Sequence, residues 1–461
     1  MAFSYQQLVT HSGGLKPYLK APAWVVAVSG GLDSMCLLHA LVKLQESQPC
    51  PPLRVMHINH NLQLKADQWQ QNVEKKCQQY DLACMSYKVT LCPLEQRQFG
   101  VEATARNARY DIFKQHVQVG EVLLLGQHAD DQSETLFLRL LRGAGVAGLR
   151  AMPQQRKLGL GCLVRPLLHV RKTDLFAYAQ TCDLTWNEDP SNQNHDFDRN
   201  YLRHQVMPLL RQRWPSLDQR VATVTSLMGD TQALLDEIAA TDFALIHKNT
   251  EFGECLPCKD MQPLSRPRRH NLLRYWLGRH PVSMPDYAVM QTIDKDFLFS
   301  AIDGQPYLQL GSWCLRRHRG DLLLMRHAHQ SQETTVNWCC DLEQQTLLAG
   351  SITLPEGTLS LNKGAEAGLL LTQGDHLERR FRLGGERCRP LGRGHSQSLK
   401  KLFQEAKVPA WERDQLPLFY VNGRLAMVAD LWVNSGFEAA PGAPAWGWQM
   451  ATKNTAFDCS D

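Results

Sequence analysis

The hexapeptide Ser29-Gly30-Gly31-Leu32-Asp33-Ser34 follows an apolar run, Trp24-Val25-Val26-Ala27-Val28, and leads into residues of helical spacing that reach Leu44. Two glycines after a strand let the backbone turn tightly. The first N–H groups of the next helix then face outward with the positive end of the helix dipole behind them. An anion belongs there. The hydroxyls of Ser29 and Ser34 add donors, whereas Asp33 repels a phosphate unless a divalent cation stands between them. The expected ligand is ATP with Mg²⁺, and Asp33 is the expected metal ligand.

Acid–base chemistry is concentrated in a second segment. After the run Glu121-Val-Leu-Leu-Leu125 comes Gly126-Gln127-His128-Ala129-Asp130-Asp131-Gln132-Ser133-Glu134-Thr135. Acids at a helix start serve as caps and suit the dipole. A cap does not require His128 beside Asp130, so His128, Asp130 and Asp131 are candidate catalytic residues. His57-Ile58-Asn59-His60-Asn61 ends another apolar run in the same way. Between them, Glu102, Arg106 and Arg109 share one face of a helical stretch, where Glu102 and Arg106 could form a surface ion pair. Arg109, next to Tyr110, is suited to bind an anion. Asp196-Phe197-Asp198-Arg199-Asn200-Tyr201-Leu202-Arg203 precedes a further helix.

These segments need a scaffold that gathers them. Strand-like runs at 24–28, 53–58, 84–89 and 121–125 alternate with helical spacing at 33–46, 66–80, 102–118, 130–142 and 171–181. That order predicts an α/β fold: a parallel sheet with helices on both faces and ligands at the carboxyl ends of its strands. Alternation stops after Pro208 and Pro215. Residues 216–245 read as helical, a small helical unit extends to about 300, and short strands follow at 306–326. His327–Thr335 reads as a linker, and 336–445 is richer in Gly, Pro and β-like runs, with Asn422-Gly423 marking a hairpin. Three domains are expected, at 1–215, 216–326 and 336–448.

Composition narrows the class. With 461 residues, a net charge of only +4 and no apolar span or signal peptide, the chain reads as a cytoplasmic protein without a membrane partner. Its 14 cysteines are scattered, often in apolar runs, which predicts reduced thiols. The positive charge is concentrated. Leu264–Pro285 holds Arg266, Arg268, Arg269, Arg274 and Arg279 with no acid, and Arg379–Lys401 holds eight Lys/Arg against Glu386 alone. Two such blocks beside an ATP site point to a phosphate-rich macromolecule.

Other motif matches fail on context. Ser12-Gly13-Gly14 has no strand before it and reads as a loop. Gly143-Ala144-Gly145-Val146-Ala147-Gly148 fits the dinucleotide-binding pattern but follows a helix, so it reads as a flexible loop at the site's rim. Cys255-Leu-Pro-Cys258 has no second ligand pair and reads as chance spacing.

Ser29–Ser34 resembles the signature of the PP-loop ATP pyrophosphatases, which split ATP to AMP and pyrophosphate while adenylating a second substrate. It lacks the Lys-Ser/Thr ending of a Walker A loop. With Gly126–Thr135, Glu102–Tyr110 and Asp198–Arg203 in this order, the chain resembles the bacterial tRNA(Ile)-lysidine synthetase family. Phe381–Arg387, Lys400–Phe403 and Val408–Arg413 are similar to the last domain of that family's long form.

The resemblance implies a ligase that adenylates the wobble cytidine of isoleucine tRNA with a CAU anticodon. Free lysine then displaces AMP to give lysidine. It assigns Asp130 and Asp131 to lysine, and Arg109 with Arg106 to charge on the phosphates. Contact with tRNA falls to Arg106, Arg203, Arg387, Arg389, Arg393, Lys400 and Lys401. A homodimer is compatible with it. Competing readings are a tRNA sulfur-transferase, which needs a nucleophilic cysteine or iron–sulfur site, a small-molecule amidating synthetase, and a non-catalytic RNA-binding protein.

Overall fold

Consecutive apolar side chains make the central strands apolar on both faces, and pairing builds one six-stranded sheet. Its strands are β1 (Trp24–Ala27), β2 (Leu53–Asn59), β3 (Ala83–Lys88), β4 (Val122–Leu125), β5 (Gln155–Leu158) and β6 (Gly161–Val164), in the spatial order β3-β2-β1-β4-β6-β5. In this computed structural model the described residues are 3–450 except 12, 191–193, 195, 301–303, 305, 327–337, 344–348, 355–356, 363–367 and 441–442. They form two compact units, divided between Ile238 and Ala239. No described helix is long and apolar enough to cross a membrane.

In the first unit, β1 pairs in parallel with both β2 and β4, and β3 and β6 extend the sheet in the same sense. The sheet is not wholly parallel, as the sequence had suggested. β5 runs antiparallel to β6 as an edge hairpin, and its polar Gln155-Arg156-Lys157 gives no apolar strand signal because an edge strand buries little. Helices α1 (Leu32–Ser47), α2 (Ala66–Gln79) and α5 (Lys172–Thr181) pack against Val26, Val55 and Leu124 on one face. Helix α3 (Val101–His116) packs Tyr110 and Phe113 against Val25, Leu123 and Leu163 on the other. The amino-terminal segment, unassigned from sequence, joins the first core through Phe3, Leu8 and Leu15.

Topology reverses between β1 and β4, so the loops after these two strands open side by side into one crevice. Helix α4 (Ala129–Leu141) starts there, and the chain later returns through a helical turn at Asp198–Tyr201, a π-helical turn at Leu202–Val206 and helix α6 (Met207–Arg213). Helix α7 (Leu217–Ile246) follows, and the boundary between the two units falls within it.

The second unit holds two apolar cores, one around Trp276, Leu256 and Leu315, the other around Phe403, Phe419 and Trp448. The expected hairpin joins Leu418–Val421 to Arg424–Val428, with Asn422 and Gly423 at φ +50° and +75°. The expected linker at 327–335 lies outside the described residues. Cys255 and Cys258 are free and buried in this unit's core, and burial pushes both thiols up to about 11.

Candidate active site

The turn after β1 is fixed from within and from outside. Gly30 has φ +87°, and a Cβ there would stand 2.6 Å from Asn187 Nδ2. The Asn187 N–H donates to the Gly30 carbonyl at 2.9 Å. Ser34 Oγ donates to the Gly31 carbonyl at 2.9 Å and accepts from the Ser29 N–H at 3.2 Å, while the two hydroxyls stand 3.2 Å apart. The hydroxyls expected to serve phosphate therefore also shape the loop.

Gly126 brings the second segment against this turn. A Cβ on it would lie 3.0 Å from the Asp33 carbonyl oxygen and 3.2 Å from Ser34 Cα. The close approach sets His128 beside Asp33, with Nε2 3.5 Å from Asp33 Oδ2 and 3.5 Å from Asp131 Oδ2, and Nδ1 3.6 Å from Asp130 Oδ2. His128 is 1% exposed. Burial alone would lower its pKa, but Asp131, Asp130 and Asp33 together raise it to about 10. The three carboxylates thus favour its imidazolium form.

Asp33 stands in the first turn of α1, and its Oδ1 is buried without a hydrogen-bond partner. A carboxylate oxygen left open beside a phosphate-binding turn fits Mg²⁺, which takes one or two carboxylates together with substrate phosphates and water. No larger cluster of metal ligands occurs among the described residues.

The start of α4 is bound into the return of the chain. Asp131 Oδ1 accepts from Arg199 at 2.8 Å and Arg203 at 3.3 Å, and Glu134 accepts from Arg199 at 2.9 Å and Arg203 at 2.6 Å. Asp130 accepts from Arg211 at 2.8 Å and from the Lys172 N–H at 2.9 Å. Arg211 also pairs with Asp218 at 2.9 Å, and Asp218 accepts from Ser133 at 2.6 Å. Burial pushes both aspartates' pKa values up, but for Asp130 the neighbouring His128, the bond from the Lys172 N–H and the charge of Arg211, and for Asp131 the charges of His128, Arg199 and Arg203, hold them below the ordinary carboxylate range. Arg203, read from sequence as an RNA or phosphate contact, here has its charge compensated by Asp131 and Glu134.

Other segments arrive where sequence spacing suggested. His57 Nδ1 donates to the Val28 carbonyl at 2.7 Å and ties the second strand's end to the first. Arg109 is half-buried on α3, and burial holds its guanidinium below the ordinary value. The surface pair Glu102–Arg106 does not form; Arg106 lies over the Tyr110 ring at 5.1 Å. Gly143–Gly145 turns into a short helix at Val146–Leu149. Sequence reasoning missed Glu134, Arg199, Arg211 and Asn187. Glu134 could have been found, because it lies one helical turn after Asp131 on the same face.

The basic blocks resolve into paired and unpaired charge. Arg268 pairs with Asp242, Arg269 with Asp294 at 2.6 Å and Arg279 with Glu254 at 3.2 Å. In the carboxyl-terminal block Arg393 pairs with Glu405 at 2.7 Å, whereas exposed Arg387 and Arg389 donate to the Ser396 carbonyl and Ser435 hydroxyl at 2.7 and 2.8 Å. Among the described residues, Arg387, Arg389, Lys400 and Lys401 have no carboxylate within ion-pair distance.

Residues 3–210 match the PP-loop domain family, 256–323 the TilS substrate binding domain and 377–450 the TilS substrate C-terminal domain. The chain is 39% identical over 427 residues to the tRNA(Ile)-lysidine synthase of Coxiella burnetii, covering 92% of each protein. The chain belongs to the tRNA(Ile)-lysidine synthase family. The corresponding synthase of Serratia proteamaculans is 38% identical over 425 residues, 92% of this chain and 94% of that one. Among solved structures, a U34-tRNA thiolase from Methanococcus maripaludis aligns with 49% of this chain and 78% of its own, at 14% identity and a TM-score of 0.41. The PP-loop match contains the turn at 29–34, the start of α4 and Arg199 and Arg203, with Arg211 and Asp218 just beyond its end, and the two TilS matches contain the two basic blocks.

Proposed function

We propose that this enzyme joins free lysine to C2 of the wobble cytidine in isoleucine tRNA with a CAU anticodon, at the expense of ATP. The carrying observation is the meeting in one crevice of a phosphate-binding turn with two carboxylates kept ionised, Asp130 and Asp131. The carbonyl oxygen at C2 of cytosine is a poor leaving group. In the first half-reaction it attacks the α-phosphorus of ATP and pyrophosphate leaves. In the second, the lysine ε-nitrogen attacks C2 and AMP leaves.

The turn at 29–34 and the start of α1 bind the triphosphate through backbone N–H groups and the helix dipole. Asp33 would hold Mg²⁺, which when bound neutralises phosphate charge. Arg109 stabilises charge on the phosphates during adenylyl transfer. His128 keeps three carboxylates together without mutual repulsion. Asp130 and Asp131 bind and orient the lysine cation and are the acceptors within reach for its proton. Asp131 already carries Arg199 and Arg203, so entry of lysine is coupled to these two guanidiniums.

The three-part reading, 1–215, 216–326 and 336–448, divides catalysis from tRNA binding, with Arg387, Arg389, Lys400 and Lys401 as the open charges of the last part. The reaction belongs to the cytoplasm, where tRNA is. A second copy of the chain is a further partner: Val224, Leu227, Leu234, Ile238 and Leu245 are exposed on α7 at heptad spacing, and sedimentation of the pure protein tests this.

Sulfur transfer is disfavoured because Cys36, the cysteine in α1, donates its thiol to the Leu175 carbonyl at 3.4 Å. Burial, then Asp33 and Cys182, push this thiol's pKa up to about 12. The test is mass analysis of nucleosides after incubation with the tRNA, ATP and lysine. The expected product is cytidine heavier by one lysine less one water; unmodified or thiolated nucleosides contradict the proposal.

A further inference from the structure

Tyr110 gathers the guanidinium groups of Arg106, Arg156 and Arg165, of which only Arg106 has been given a role above. The Arg106 and Arg156 guanidinium carbons lie 5.1 and 4.7 Å from the centre of its ring, so the aromatic π-system holds both cations. Arg165, beside them, is 2% exposed. Its NH1 donates to the Pro153 carbonyl at 2.6 Å, and its Nε donates to the Gln127 side chain. Among the described residues none of these three arginines has a carboxylate within ion-pair distance. A guanidinium buried against neutral oxygens alone is unfavourable unless something else uses its charge. Arg106 and Arg156 are exposed, so the group opens to solvent.

The placement sets this charge on the α3 side of the sheet. Tyr110 belongs to the core on the α3 face, with Val25 and Leu123, whereas α1, whose start carries the phosphate-binding turn, packs on the opposite face with Val26 and Leu124. Arg156 stands on the edge strand β5. Arg109, one turn on from Arg106 along α3, is given to the ATP phosphates, so nucleotide phosphate and RNA phosphate are the two alternatives that the test separates. We propose that Arg106, Arg156 and Arg165, organised by Tyr110, form a second phosphate site that holds the sugar-phosphate backbone of the substrate RNA beside the catalytic crevice. This rests on the reading of the enzyme as one acting on tRNA.

The test uses the full chain and isoleucine tRNA, comparing wild type with R156Q and R106Q/R156Q. Both positions are exposed, so the fold is not at issue. Each lost contact to a single-stranded loop should lower the slope of log affinity against log salt by about 0.7. Affinity at low salt should fall about threefold or more for each arginine, with the KM for ATP unchanged at saturating tRNA. Unchanged affinity and slope in both variants overturn the site. A raised KM for ATP with unchanged tRNA affinity also overturns it, because the arginines then serve nucleotide phosphate. Wild-type protein that makes no lysidine defeats the functional reading instead, and the binding series still decides the site.

Discussion

His128 Nε2 lies 3.5 Å from Asp33 Oδ2, and this pair joins the phosphate-binding turn after β1 to the acidic helix start after β4. The same imidazole reaches Asp130 and Asp131, so one buried cation holds together the residues assigned to ATP and those assigned to lysine.

Replacing His128 by Asn should therefore destabilise the protein by about 3 kcal/mol near neutral pH, as expected when one partner of a buried ionic group is removed. The folded pKa is raised from 6.5 to about 10, so the stabilisation is complete below 6.5 and is lost as pH rises through about 10. Denaturant unfolding of both proteins across that window should show the gap closing. A gap independent of pH would mean that His128 is neutral in the folded state.

Asp33→Ala should abolish adenylation with the fold intact, because the side chain is 34% exposed and Asp130 and Asp131 still compensate His128. Pyrophosphate release and circular dichroism check the two halves of this statement. Normal release by a folded variant would remove Asp33 from the metal role.

Asp130→Asn and Asp131→Asn should separate the half-reactions, since an amide keeps the size of the side chain and loses the charge that binds lysine. At least one should accumulate adenylated tRNA. Asp131→Asn should also lose about 3 kcal/mol of stability, because Arg199 and Arg203 keep only Glu134. If both variants lose only ATP affinity, the pair serves the metal.

In the carboxyl-terminal block, Arg387→Gln with Arg389→Gln should lower the salt dependence of tRNA binding by about 1.4 in slope and raise the KM for tRNA. Arg393→Gln should do less, because Glu405 already neutralises Arg393. Equal effects of all three would show that the Glu405 pair opens on binding.

The strand–helix order and the glycine turn were legible because both are local: apolar runs mark buried strands, and Gly30 and Gly31 mark the turn that follows. Asp130 and Asp131 were legible for the same reason. What sequence could not show is which charges meet. Arg199 and Arg203 lie 65 and 69 residues from Glu134 along the chain, and Asp242 neutralises Arg268 from outside the basic block. Local charge counts therefore overstated the free positive charge of Leu264–Pro285. The β5–β6 hairpin escaped because an edge strand needs no apolar pattern.

In the proposed mechanism one crevice adenylates tRNA and then admits lysine. The direct measurement incubates the protein with isoleucine tRNA and ATP labelled at the α-phosphate, first without lysine and then with it. Label should appear on the tRNA before lysine is added, be absent when the wobble cytidine is replaced by uridine, and be released as AMP with formation of lysidine once lysine arrives. Label that never reaches the tRNA, or that remains on it after lysine is added, would contradict this mechanism.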